Sequence, residues 1–287
     1  MKREFTKISH YIFVVFAVTA FGFTTGIGQD LKAEEIIAKH LESIGTKEKL
    51  AGIKNRLVMG ASSFESKLPS KRTGGKALIV SEGTNLYFIA SFASKEYPFE
   101  KIGYFNDKIS LPYVTSGKRS PLGAFIADHE KLLSDGIMTG SMSNTWALIN
   151  WQKGKADIKS GGTKKIDGRK AYVLDYFPKS GGSGEFSIKM FFDAETFQHI
   201  RTEYRHEIAS AQDTFGRLGR QGGLKLQLTE DFADFKAAGG LMLPHSYKLN
   251  YQTDSNSGTF EYIWGIAVTQ YVFNRKLEEN FFTFEAN

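Results

Sequence analysis

The feature that most constrains this chain is a hydrophobic alternation of period two, which recurs along most of its length and breaks at short turns. Successive strand residues face opposite sides of a sheet, so such runs bury one face and leave the other in water. Phe186, Ile188, Met190 and Phe192 fall on one side, with Ser187 and Lys189 opposite. After a turn at 193–196, the return strand is expected to set Ile200, Thr202 and Tyr204 against His199, Arg201, Glu203 and Arg205. The same grammar appears in 76–80 and 86–92, joined at 82–85, and around Asp167-Gly168, a two-residue hairpin signal. Later strands are expected at 224–235, 243–252 and 259–273. Roughly ten to twelve strands linked by short turns describe a meander, which closes into a barrel or curls into a half-barrel.

Two stretches carry the helical period instead. Over 31–44, Ala33, Ile37, Leu41 and Ile44 share one stripe, with Asp30 as N-cap and Gly45 as stop. Thr46 caps a shorter turn over 47–53. The second stretch starts after Ser120 with Pro121 in its first turn, where the missing N–H costs nothing. Leu122, Phe125, Ile126, His129, Leu132 and Leu133 make its apolar face, and Gly136 ends it. With six prolines and no Pro- or Ser-rich linker, one domain over 29–287 is expected.

The N-terminus reads as a secretory leader over 1–28. Lys2, Arg3 and Lys7 precede a charge-free apolar run over 11–23, and Gly26-Ile27-Gly28 offers small residues for cleavage near Gly28. The run is short for a spanning helix, which needs about 20 apolar residues; the alternative is an uncleaved anchor. The expected location is therefore the periplasm. The absence of cysteine excludes both disulfides and a lipid anchor attached to a Cys after the leader. A net charge of +6, dispersed and without a run of like charges, points away from nucleic acid and leaves only weak attraction to anionic membrane surfaces.

Catalytic and metal motifs fail one by one. His129-Glu130 and His206-Glu207 lack the second His of a zinc-protease helix, having Leu133 and Ser210 there. Glu185 stands where a nucleophile elbow needs Gly. The segment 254–258 resembles a calcium loop for three positions, but Gly265 cannot supply the ligand expected at its twelfth, so it reads as a hairpin turn. His40, His199 and His245 have no metal-set spacing. No enzyme, cofactor or metal is expected. What the chain has in quantity is aromatic surface, with 24 Phe, 12 Tyr and 3 Trp, more than a helix-filled meander needs on its inner face; the alternative is simply a large aromatic core. The polar stretch 206–223 reads as a surface loop, or, with Arg205, Arg217 and Arg220, as a docking loop.

The order of parts resembles the LolA-like and LolB-like periplasmic lipoprotein-carrier superfamily. The residues that carry this are AEEIIAKHLESIGTKEKLAGIKNRLVMG (33–60), KIDGRKAYVLDY (165–176), FFDAETFQHIRTEYR (191–205), GGLMLPHSYKLNY (239–251) and FNRKLEENFFTF (273–284). The resemblance implies a mainly β fold with helices (α+β): an antiparallel, unclosed β-barrel wrapped over an N-terminal and a central helix. Between sheet and helices it implies an apolar cavity for acyl chains. The expected function is a soluble periplasmic carrier or chaperone of lipid or lipoprotein acyl chains, monomeric, in transient contact with envelope membrane proteins. Lining and lid candidates are Ile37, Leu41, Phe88, Phe125, Leu133, Tyr172, Phe192 and Tyr247. The family's lid-locking arginine finds no matching motif here. Two alternatives stand: an outer-membrane-associated β-barrel, and an envelope hydrolase or binding module on the same scaffold.

Overall fold

The computed structural model describes residues 31–153, 156–179, 186–208, 223–256, 258–278 and 281–282. The expected leader and most of the 206–223 loop lie outside these residues. Helix α1 (Ala33–Ile44) turns Ala33, Ile36, Ile37, His40 and Ile44 inward. It is capped from Lys32, whose N–H donates to the Glu35 carboxylate at 2.8 Å. Helix α2 (Lys47–Gly52) follows, with Thr46 Oγ1 accepting from Lys49 N–H.

Twelve strands follow the alternation read from the sequence. They are β1 (Asn55–Lys67), β2 (Ser70–Glu82), β3 (Asn85–Ser91), β4 (Phe99–Phe105), β5 (Lys108–Ser110) and β6 (Ala156–Ile166). Then come β7 (Arg169–Pro178), β8 (Phe186–Asp193), β9 (His199–Ile208), β10 (Leu224–Ala238), β11 (Leu241–Ser255) and β12 (Gly258–Phe273). Every pair is antiparallel, in the order β5-β4-β3-β2-β1-β12-β11-β10-β9-β8-β7-β6. Two meanders are thus joined by the pairing of first strand with last, from Arg56↔Phe273 to Ser66↔Tyr262. Strands β5 and β6 are the edges and do not pair with each other among the described residues, so the sheet is an open half-barrel. A closed outer-membrane barrel would require that last pair. No helix among the described residues is long and apolar enough to cross a membrane.

This topology dictates where the remaining helices lie. The chain leaves the sheet at one edge, β5, and re-enters at the other, β6, so the intervening segment spans the concave face. It carries α3 (Pro121–Asp128), α4 (Lys131–Ser134) and two 3-10 segments, Gly140–Met142 and Ala147–Lys153. One apolar cluster joins this layer and α1 to the inner face of both meanders.

Two expectations need correction. The central helix is not continuous over 121–133: it ends at His129, whose backbone leaves the helical region (φ −134°, ψ 50°). The His129 ring lies between the Phe125 carbonyl, 2.7 Å away, and the His206 ring on β9, 2.9 Å away. Ile200 does not share a face with Thr202 and Tyr204. Phe191 pairs with Arg201 but Phe192 pairs with His199, so Ile200 is an inserted residue. Such a bulge shifts the alternation by one place. His199 turns inward instead and stacks on Trp146 at 4.8 Å, while Ile200 joins a small cluster with Ile166, Ala171, Val173 and Phe191.

Candidate functional site

The concave face and its helical layer form the one extended apolar surface of the described fold. Ile37, Phe88, Phe125, Leu133, Phe192 and Tyr247 all belong to the cluster there, each at most 2% exposed. Leu41 and Tyr172 pack at its margin, Tyr172 stacked on Phe197 at 5.4 Å. The strands supply Phe88 from β3, Phe192 from β8 and Tyr247 from β11, while Ile37 comes from α1 and Phe125 and Leu133 from the crossing segment. The face is closed by the protein's own side chains.

What holds the crossing segment down is mostly polar. Glu230, on the inward parity of β10 with Leu226, Leu228 and Phe232, accepts from Thr139 N–H at 2.8 Å and from the Tyr204 and Tyr247 hydroxyls. Burial raises its carboxyl to about 6, against the lowering effect of those donors. Glu100, inward on β4, accepts from Ser120 Oγ at 2.7 Å and from the Tyr97 hydroxyl, and Ser120 caps α3 through Gly123 N–H. Burial lifts Glu100 to about 7. Trp146 Nε1 donates to His40 Nε2 at 3.0 Å, and His40 Nδ1 lies 3.0 Å from the Phe197 carbonyl. Burial holds the His40 imidazole down at about 4 and His199 well below its ordinary value. Asn144 N–H donates to Ser81 Oγ at 2.8 Å.

Arg56 is a residue that reasoning from the sequence missed. It lies on β1 with the inward parity of Val58 and Phe64, and only 2% of it is exposed. Its Nη1 donates to the Ser141 carbonyl, and its guanidinium sits 5.7 Å from the Phe273 ring centre. It joins no ion pair, and its Nε has no hydrogen-bond partner, among the described residues. The available signal was a charge on the apolar side of an alternating strand, shared by Arg56, Glu100 and Glu230.

The last part of the crossing segment is Ala147–Lys153, where only Leu148 is buried. Hollows flank it. One, of about 190 Å³, has Trp146, Trp151, Ile158 and Tyr176 in its wall. The other, a groove of about 920 Å³, runs between α1–α2 and this segment; Leu41, Leu50, Ile53, Ile149 and Trp151 line it, with Arg56 in its wall. Of the eight candidates, Leu41 alone faces this groove. Among the described residues no three His, Asp or Glu side chains gather to hold a metal.

No family model matches the chain, and no curated protein matches it. Solved structures similar to it include a LolA superfamily protein, NE2245, from Nitrosomonas europaea, 16% identical, covering 89% of this chain and 99% of that one with a TM-score of 0.46. A DUF1329 family protein from Desulfovibrio piger is 14% identical, covering 87% and 96% with a TM-score of 0.43. A domain described as an outer membrane lipoprotein-sorting protein, from Vibrio parahaemolyticus, is 14% identical, covering 87% and 97% with a TM-score of 0.43.

Proposed function

We propose that this protein is a soluble periplasmic carrier or chaperone of acyl chains, from lipid or lipoprotein, without a catalytic step. The observation that supports this most is the concave face of an open sheet, built from large aromatics and covered by a separate helical layer. Lifting that layer uncovers Phe88, Phe192 and Tyr247 together, with Ile37, Leu41 and Tyr172 around them. Phe125 and Leu133 act as the lid groups that an acyl chain replaces. Each CH₂ moved from water gains about 0.8 kcal/mol, so a sixteen-carbon chain gains on the order of 12 kcal/mol gross. Ordering the chain and lifting the layer reduce that figure. Lid and cargo compete for one surface, so closure of the lid drives release.

The test is solvent extraction of the purified mature protein followed by mass spectrometry, with a delipidated control re-exposed to a fluorescent fatty acid. Near-stoichiometric acyl lipid is the expected result. A lipid-free protein that also refuses the fatty acid would leave the half-barrel without this role.

A further inference from the structure

Whether the cargo has a charged head is a question that the groove beside α1 and α2 addresses. We propose that this groove seats the anionic head of an amphiphile, a carboxylate or phosphate attached to an acyl chain, with Arg56 as its principal cation. The inference rests on the carrier reading and deepens it by naming the chemical class of cargo.

Three observations converge. The first is Arg56 itself. A buried guanidinium without a carboxylate partner leaves its desolvation uncompensated, and among the described residues no anion offsets it here. Among the described residues its partners are a backbone carbonyl at Nη1, an aromatic ring and the nearby Tyr271 phenol, none of them an anion's equal. Nε and Nη2 make up the edge of the fork that a carboxylate or phosphate grips with two parallel hydrogen bonds, and Ser141 engages the other side. Burial lowers its pKa to about 10, which still leaves it cationic at neutral pH.

The second observation is the charge around the opening. Lys47, Lys54 and Lys153 line the groove with Arg56, against Glu34 and Glu42. The three lysines are exposed, free to draw an anion inward. The third is shape and polarity. At about 920 Å³ the groove falls within the range of small-molecule sites, and Leu41, Leu50, Ile53, Ile149 and Trp151 in its lining offer apolar contacts to the part of the acyl chain next to the head. A lining that combines an excess of cations with apolar side chains matches an anionic amphiphile better than a neutral one.

The experiment compares palmitate with hexadecanol, equal in chain length and different in head, by displacement of a fluorescent fatty-alcohol probe from the full mature chain. Palmitate is expected to bind at least about tenfold more tightly, as a charged hydrogen bond implies. Because Arg56 also holds the crossing segment, the readout is the ratio of the two affinities: Arg56→Gln is expected to bring palmitate down to hexadecanol, a ratio of about one. Should that variant fail to fold, Lys54→Glu with Lys153→Glu, both exposed, is expected to weaken palmitate several-fold and to spare hexadecanol. A bromine-labelled palmitate is expected to quench fluorescence in the wild type and lose most of that effect in Trp151→Phe. Equal binding of the two ligands, an unaffected palmitate in the folded variants, or quenching that persists without Trp151 would each overturn the proposal. Failure of both ligands to bind would instead remove the carrier reading on which it rests.

Discussion

Taking a carboxylate out of water at the centre of the concave face costs several kcal/mol unless its oxygens are filled. At Glu230 the Thr139 N–H and the Tyr204 and Tyr247 hydroxyls fill them, and in doing so tie β9, β10 and β11 to the crossing segment. Replacing Glu230 with Leu would orphan all three donors. We expect Glu230→Leu to lose about 3–5 kcal/mol by urea denaturation, and Glu230→Gln, which keeps an acceptor, clearly less. A Leu variant within about 0.5 kcal/mol of wild type would mean that the node contributes nothing net. Glu230 stands on the inward parity of β10, so its burial was legible in principle. Its partners were not, because Thr139 comes from a segment with no period of its own. Arg56 presents the same case on β1.

At the scale of elements, the crossing segment divides into parts held in different ways. Helix α3 is fixed at its start by the Ser120–Glu100 contact and along its length by Phe125, which packs on Tyr251 at 5.2 Å. The stretch around Thr139–Trp146 is held by Glu230, Arg56, Ser81 and His40. The Ala147–Lys153 turn has one buried side chain and a hollow on either side. Phe125→Ser is expected to cost about 3–5 kcal/mol as a core substitution. If Phe125 is also a lid group, bound lipid per folded molecule should fall further than that loss predicts, read as extracted lipid against folded protein by circular dichroism. Parallel losses would make Phe125 an ordinary core residue. The break at His129 was hidden from the sequence because the ring that stops the helix reaches a partner 77 residues away.

For the whole molecule, buried histidines and buried carboxylates pull stability in opposite directions with pH. His40, held at about 4 against an ordinary 6.5, is neutral in the fold, while the unfolded chain takes up a proton below 6.5. Its contribution is complete above 6.5 and is lost as pH falls toward 4. Glu230 and Glu100, raised to about 6 and about 7, do the reverse: their contribution is complete below the ordinary 4.5 and is lost as pH rises through those values. The two slopes overlap between 4.5 and 6.5 and offset each other. Removing one side exposes the other. His40→Gln should therefore lose less stability than wild type on going from pH 6.5 to 4, the difference approaching about 3 kcal/mol. Identical pH profiles for the two proteins would show that His40 is not held neutral.

The alternation, the hairpin turns and the two apolar helical stretches are local properties of the chain, because side-chain period follows backbone geometry alone. By itself the sequence therefore determined a meandering sheet, its facing residues outside the bulges of β6, β9 and β12, and helices to place on it. Which strands meet across the middle, which edges stay open, and what lies on the concave face depend on contacts between distant residues. The pairing of β1 with β12 put β5 and β6 at opposite edges, and that sent the segment between them across the concave face. Only this crossing brings the Ser141 carbonyl to Arg56, Thr139 to Glu230 and Trp146 to His40. The groove beside α1 exists for the same reason: the Ala147–Lys153 turn on its way to β6 passes α1 and α2 at a distance that leaves about 920 Å³ between them.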